Sequence, residues 1–340
     1  MKTKIFNVIL LTILTVAHFS CDLDDDNTTP IRGEGGGELS LRFTVQTEED
    51  QMGEFAGVAM AIFDGKIYAA GGYNAYGSSG SHFLWSSSNG VNWATVPLSS
   101  STPASFTSFR SGATLTTFND QLWLIGGKDI TDAPYTNIWH SADGVSWSEL
   151  SPPFGDLPAH ETIVYNSKMY VTKGNHTTNQ TEVWSTTNGI DWIQETNNAF
   201  PGRGGQKGVV FNDAMYLLGG EDIASNKVNE IWTSTDGSSW AEVSPTTLFS
   251  ERNAHSATVY NNKVWVIGGK DNLTEFNNEI WYSSDMITWT RYEGDRPGTD
   301  GINSHTALLF NDEIWIFGSN RSDGTGGTHR NGEISSIKED

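Results

Sequence analysis

The sequence predicts an all-β protein: a six-bladed β-propeller of four-stranded antiparallel blades, its ring closed by an N-terminal strand. Three observations carry this. Thirteen tryptophans and thirty-six glycines in 340 residues favour strands joined by turns, because large aromatics pack on pleated surfaces and glycine serves tight turns. A tryptophan pair eight residues apart recurs five times, as Trp85/Trp93, Trp139/Trp147, Trp184/Trp192, Trp232/Trp240 and Trp281/Trp289. The first tryptophans of successive pairs are 54, 45, 48 and 49 residues apart, a period in the range of propeller blades.

Each copy opens on a short apolar run ending in an aromatic and an Asn or Asp turn: MAIFDG, TLTTFND, TIVYNS, GVVFND, ATVYNN and ALLFND. That is a hairpin signal, and it divides a first strand from a second. The second strand reads KIYAAGG, QLWLIGG, KMYVTKG, AMYLLGG, KVWVIGG and EIWIFGS. It is apolar at nearly every position, as expected when both sheet faces are buried.

The third and fourth strands carry the tryptophans, in LWSSSNGVNW, IWHSADGVSW, VWSTTNGIDW, IWTSTDGSSW and IWYSSDMITW. An even separation predicts that the two tryptophans face each other across a hairpin with a three-residue loop, in the second copy Ala142, Asp143 and Gly144. Asp143 then caps the turn, and the glycine takes a left-handed conformation without a Cβ penalty. Met286 breaks the glycine rule in the fifth copy, which marks a place for strain.

The sixth copy ends in NGEISSIKED, with Ser335 where a tryptophan is due and no fourth strand. Residues 39–45, LSLRFTV, alternate apolar and polar as a half-buried strand does. This segment is expected to close the ring as the outer strand of the sixth blade.

The whole pattern resembles the kelch repeat over residues 55–340, with two departures from Gly-Gly: Lys173-Gly174 and Gly318-Ser319. The segment from the serine through the acid and glycine to the second tryptophan also resembles the Asp-box of sialidase-type propellers, one residue shorter between acid and tryptophan.

Ahead of the repeats, Lys2 and Lys4 precede the apolar run IFNVILLTILTVAHF, and Ser20 precedes Cys21, the only cysteine. This layout is an export signal and resembles a bacterial lipoprotein signal, in which Cys21 becomes the lipidated first residue. His18 and Phe19 depart from the usual small and aliphatic residues there. The acidic stretch DLDDDN behind Cys21 resembles the surface-export signal of some Gram-negative lipoproteins. The expected organisation is a signal peptide over 1–20, a flexible acidic and Gly-rich tether over 21–37, and one propeller over 38–340. Residence is expected in the outer membrane, through the lipid alone and facing the exterior.

A net charge of -21 argues against nucleic acid or an anionic membrane surface as partner, since both need Lys and Arg to neutralise phosphates. A lone cysteine excludes an intrachain disulfide and a Cys-based metal centre. No metal and no cofactor are expected, and the chain is read as a monomer.

In a repeat protein a residue that recurs in register is first a scaffold residue. Counting back nine positions from each Asn/Asp turn gives Arg110, Arg203 and Arg252 in three copies; counting back six gives His160, His255 and His305. All six are expected near one end of the central channel. The arginines are read either as an anion or sugar-acid site, since guanidinium forks match carboxylates, or as scaffold bonding loop carbonyls between blades. The loops after Gly-Gly are expected at the same channel mouth, with Tyr73, Tyr76, Tyr135 and Phe276 for stacking. Lys128, Asp129, Glu221, Asp222, Lys270, Asp271 and Arg321 are the hydrogen-bonding groups. The expected function is a non-catalytic module binding glycan or protein. The alternative is a mutarotase or epimerase, which resemblance to the six-bladed kelch N-acetylneuraminate epimerase implies, with Glu161, His160, Glu221 and Arg252 available for acid–base work.

Overall fold

The computed structural model describes residues 39–47, 55–74, 84–107, 110–129, 131–175, 177–273, 276–295, 301–322 and 328–340. The expected signal peptide, Cys21 and the expected tether fall within residues 1–38, outside the described residues. Reading outward from the channel, blade two consists of Thr114–Phe118, Gln121–Ile125, Ile138–Ser141 and Ser148–Leu150. Every other blade repeats that order. The innermost strands Phe55–Phe63, Thr114–Phe118, Glu161–Tyr165, Lys207–Phe211, Ser256–Tyr260 and Thr306–Phe310 each neighbour the next, and the sixth returns to the first.

The turns between first and second strands form as the sequence predicts. Asp64-Gly65, Asn119-Asp120, Asn166-Ser167, Asn212-Asp213, Asn261-Asn262 and Asn311-Asp312 all have φ between 45° and 70°, the paired left-handed geometry of a type I′ turn. Second strands are buried throughout, as at Leu122, Trp123, Leu124 and Ile125. The Gly-Gly that ends them joins neighbouring blades. The second glycine donates its amide across to the next blade's entry loop: Gly72 to the Arg110 carbonyl (2.7 Å), Gly127 to Leu157 (2.9 Å), Gly220 to Arg252 (2.9 Å) and Gly269 to Ile302 (2.8 Å). In blades three and six, where the sequence departs from Gly-Gly, the second strand runs on as Lys168–Asn175 and Glu313–Ser322. Blade one keeps both glycines and still extends to Asn74.

The tryptophans are not a cross-strand pair. Trp139 lies opposite Glu149 and His140 opposite Ser148, so Trp147 sits inside the connection, ahead of the fourth strand. The reason is a compact hydrogen-bonded knot around Asp143. Its Oδ1 accepts the Val145 and Ser146 amides at 2.7 Å each, the Ser141 hydroxyl accepts the Gly144 amide (2.9 Å), and Trp147 Nε1 donates to the Gly144 carbonyl (3.2 Å). The Ser146 and Val145 amides hold the Asp143 carboxyl at about 2. The same acceptor role falls to Asn89, Asn188, Asp236 and Asp285. A phenylalanine then enters beside both indoles: Phe106 stacks on Trp147 (4.6 Å) and meets Trp139 edge-on (5.4 Å), and Phe154 and Phe200 also touch both indoles of blades three and four, each edge-on to the second.

The knot glycine also has a packing role. A Cβ on Gly90, Gly144, Gly189 or Gly237 would collide with Trp315, Tyr68, Trp123 or Tyr170 of the preceding blade. Met286 occupies this position in blade five at φ 65°, 1% exposed, in a cluster that includes Tyr216 of blade four. In the glycine copies the second tryptophan donates to the glycine carbonyl, whereas Trp289 Nε1 is buried with no partner among the described residues. Met286→Gly relieves a left-handed backbone worth about 1 kcal/mol but forfeits a buried side chain worth roughly 2–3 kcal/mol. The expected result is a net loss of about 1–2 kcal/mol in chemical denaturation; a gain would mean that strain, not packing, dominates there.

Blade six is completed as the sequence predicts. Leu41–Thr47 pairs antiparallel with Thr328–Glu339, Leu41 opposite Glu339 and Val45 opposite Ser335. Leu41 is buried, and Leu39 and Phe43 pack against the cluster of Trp265, Ile314 and Ile337. Val45, at the far end of the alternation, is 39% exposed.

Candidate functional site

The channel mouth is built from the residues entering the first strands. Seven positions before each turn lie Gly57, Gly112, Ala159, Gly205, Ala254 and Ser304, and all but Ala159 are left-handed, with φ between 52° and 67°. Gly57 donates to the Ser304 carbonyl (2.7 Å), Ser304 to Ala254 (2.8 Å) and Gly205 to Ala159 (3.2 Å), so neighbouring blades are tied into a collar. Left-handed Ala254 and Ser304 each cost about 1 kcal/mol or more, the kind of strain that gathers at binding sites.

Inside the collar is a cavity of about 360 Å³ to which every blade contributes. Its polar lining includes Lys128, Asp132, Lys207, Asn253, Ser304 and the three predicted histidines. A second chamber of about 160 Å³ continues down the channel, walled by Thr114, Glu161, Thr162, Lys207, Ser256 and Thr306.

His160, His255 and His305 are buried. His160 Nε2 meets the Thr114 hydroxyl (2.8 Å) and Nδ1 the Leu157 carbonyl (3.3 Å); His305 Nε2 meets the Ser256 hydroxyl (2.8 Å). Burial pushes His160 down to about 3 and His255 well below its ordinary value, so both rings are neutral at neutral pH. Glu161 is 9% exposed, and its carboxylate lies 3.8 Å from Lys207 Nζ. Burial raises its carboxyl, an effect that the Lys207 ammonium and the Gly208 amide only partly offset.

The arginines do not line the cavity. Arg252, fully buried, donates to the Ser250 carbonyl (3.1 Å), the Gly268 carbonyl (2.9 Å), the Ser250 hydroxyl (2.8 Å) and Glu279 (2.8 Å). Arg110 reaches the Gly126 carbonyl (2.5 Å) and Asn137 (3.0 Å), with Tyr135 stacked on its guanidinium at 3.9 Å. Arg203 pairs with Glu230 (2.6 Å) and donates to Pro201 (3.3 Å). These bonds stay within one blade, tying its entry loop to its own second and third strands. The link between blades comes instead from the backbone carbonyl at this position, which accepts from the preceding Gly-Gly. Blade three shows the same need met differently: Leu157 stands at the arginine position, and Lys173 donates to the Phe154 carbonyl (2.5 Å) and faces Glu182 at 3.9 Å. The departure from Gly-Gly thus relocates a cation.

Among the loop residues, Asp129, Asp222 and Asp271 accept amides of their own loops. Glu221 accepts from Asn253 Nδ2 (2.8 Å) and pairs with Lys227 (3.2 Å), away from the cavity wall. Lys270 pairs through its backbone with Asn253, and Phe276 is half-buried. Tyr76 lies outside the described residues; Tyr73 and Arg321 are placed as strand positions opposite Ala56 and His329.

A family model, the KLHDC2/KLHL20/DRC7 Kelch-repeats domain, matches residues 159–331. The chain belongs to the kelch-repeat family. A solved structure titled "Structure of YjhT" superposes on the kelch propeller with a TM-score of 0.63 at 16% identity, covering 85% of this chain and 96% of that one. No curated protein matches. The likeness concerns the fold.

Counting back from the kelch turns finds the histidines; of the row one residue further on, Ala59, Thr114, Glu161, Lys207, Ser256 and Thr306, the sequence singles out Glu161 alone. That row walls the lower chamber. Its alternation between a carboxylate, an ammonium and hydroxyls, in a phase held by scaffold elsewhere, is the signal that names Lys207.

Proposed function

We propose that the protein is a surface lipoprotein whose propeller is a non-catalytic glycan-binding module, with the channel-mouth cavity as its site. The observation that carries this is the cavity of mixed polar and apolar lining to which all six blades contribute, open at the collar and of a size suited to a small ligand. Chain direction supports the lipoprotein part. Leu41 lies beside Glu339, where the third strand of blade six ends, at the opposite end of the ring from the starts of the innermost strands. The described chain therefore starts on the face away from the cavity, and an anchor ahead of it on that side would leave the cavity facing outward. The lipid, the outer membrane and the exterior facing are part of this proposal.

The mutarotase or epimerase reading is favoured by the place of Glu161, buried on the chamber wall with Lys207 Nζ at 3.8 Å, where burial raises its carboxyl above its ordinary value, since proton transfer benefits from such a group. One experiment separates the two. The purified full-length protein in detergent is probed on a glycan array and mixed with free reducing sugars, whose anomer equilibration is followed by NMR. Binding without acceleration is the expected result. Acceleration that disappears in Glu161→Gln overturns the binding reading, and an absence of both signals removes the glycan site.

A further inference from the structure

We infer that the channel cavity selects an uncharged, hydroxyl-rich ligand, the neutral end of a glycan, over a sugar acid; this rests on the cavity being a glycan site. The charge around the two chambers carries the inference. Among the described lining residues the ionisable groups other than histidine are two ammoniums and two carboxylates. Each ammonium faces a carboxylate: Lys128 with Asp132 at 3.9 Å at the mouth, and Lys207 with Glu161 at 3.8 Å below it.

The other cations near the channel are not available to an anion. Arg110, Arg203 and Arg252 are 0–3% exposed, and each spends its guanidinium on carbonyls, Asn137, Glu230 or Glu279. His160 and His255 are buried and neutral, and His305 is turned to the Ser256 hydroxyl. A carboxylate entering the chamber would meet ammoniums whose charge is already offset by Glu161 and Asp132 beside them. It would also approach a chain of net charge -21, whose field repels anions.

The same pairs suit hydroxyls. A separation of 3.8 Å is too long for a hydrogen bond, so Lys207 keeps donors and Glu161 keeps acceptor capacity toward the chamber. A donor beside an acceptor is what adjacent sugar hydroxyls require, since each hydroxyl both gives and accepts a hydrogen bond. The wall between is small and apolar, with Val58, Ala113 and Ala159, and leaves room for a ring.

The test measures binding of full-length protein in detergent, at low ionic strength, to matched glycans ending in a neutral hexose or in a sialic or uronic acid. The expected result is at least a ten-fold preference for the neutral ends. Asp132→Asn combined with Glu161→Gln leaves both ammoniums unpaired and should move the preference toward the acids. Asp132→Asn alone, at an exposed position, tests the same shift if the double variant fails to fold. Tighter binding of acid ends by the unaltered protein overturns this inference and leaves the glycan site standing. Binding of neither class removes both.

Discussion

Deleting residues 39–47 lowers the melting temperature by roughly 10 °C or more, from a loss of about 5 kcal/mol or more. These residues form the whole outer strand of blade six. Their removal uncovers Ile337 and Tyr292, which pack with Leu41 in one cluster. It also breaks the Arg42–Asp340 ion pair (2.7 Å) and the Gln46–Ser336 hydrogen bond (2.9 Å). More important, Ile334–Glu339, the stretch that pairs with this strand, becomes an edge with unpaired backbone groups, a template for association. The deleted chain should therefore form larger species on gel filtration than the intact protein does, and a synthetic peptide of residues 39–47 should restore both the melt and the elution of the intact protein. An unchanged melting temperature would show that the strand does not hold the ring closed.

Arg252→Ala costs about 3–5 kcal/mol, because it strands buried acceptors. The Gly268 and Ser250 carbonyls lose this guanidinium, and Glu279 loses one donor while keeping Trp281 Nε1 and Arg291. Arg252→Lys should recover part of the loss, since one ammonium cannot reproduce a fork. The pH dependence gives a second readout. Against the cost of its burial, the Trp281 and Arg252 hydrogen bonds hold the Glu279 carboxyl below its ordinary 4.5. A depressed carboxyl contributes stability that is complete above its unfolded value and drains away as pH falls through the folded value. In Arg252→Ala the acid limb of the stability curve should flatten. If the variant kept its stability and lost only ligand binding, the arginine would belong to the site and not to the scaffold.

This outcome bears on how much of the site was legible. The rule that residues recurring in register are scaffold assigns Arg110, Arg203 and Arg252 correctly to loop bonding, but it misplaces the link between blades, which runs through backbone carbonyls. The histidines were found at the mouth because their phase follows from the turns. The tryptophan hairpin was misread for a related reason: an eight-residue spacing fits a three-residue loop on paper. The side-chain bonds of Ser141 and Asp143 instead spend the residues through Trp147 on a knot.

By itself the sequence determined the number of blades, the hairpin turns, the buried second strands, the closing role of residues 39–45 and the place of Met286 as an exception. Each of these depends on the local backbone and on alternation along one strand, which a repeat displays six times over. Only the tertiary structure decided that Glu161 faces Lys207, that Lys128 faces Asp132, and that Lys173 does in blade three what arginine does elsewhere. Glu161 and Lys207 are on the innermost strands of adjacent blades and meet only when the ring closes, and their distance depends on how those blades twist and pack, which no periodicity along a single chain records.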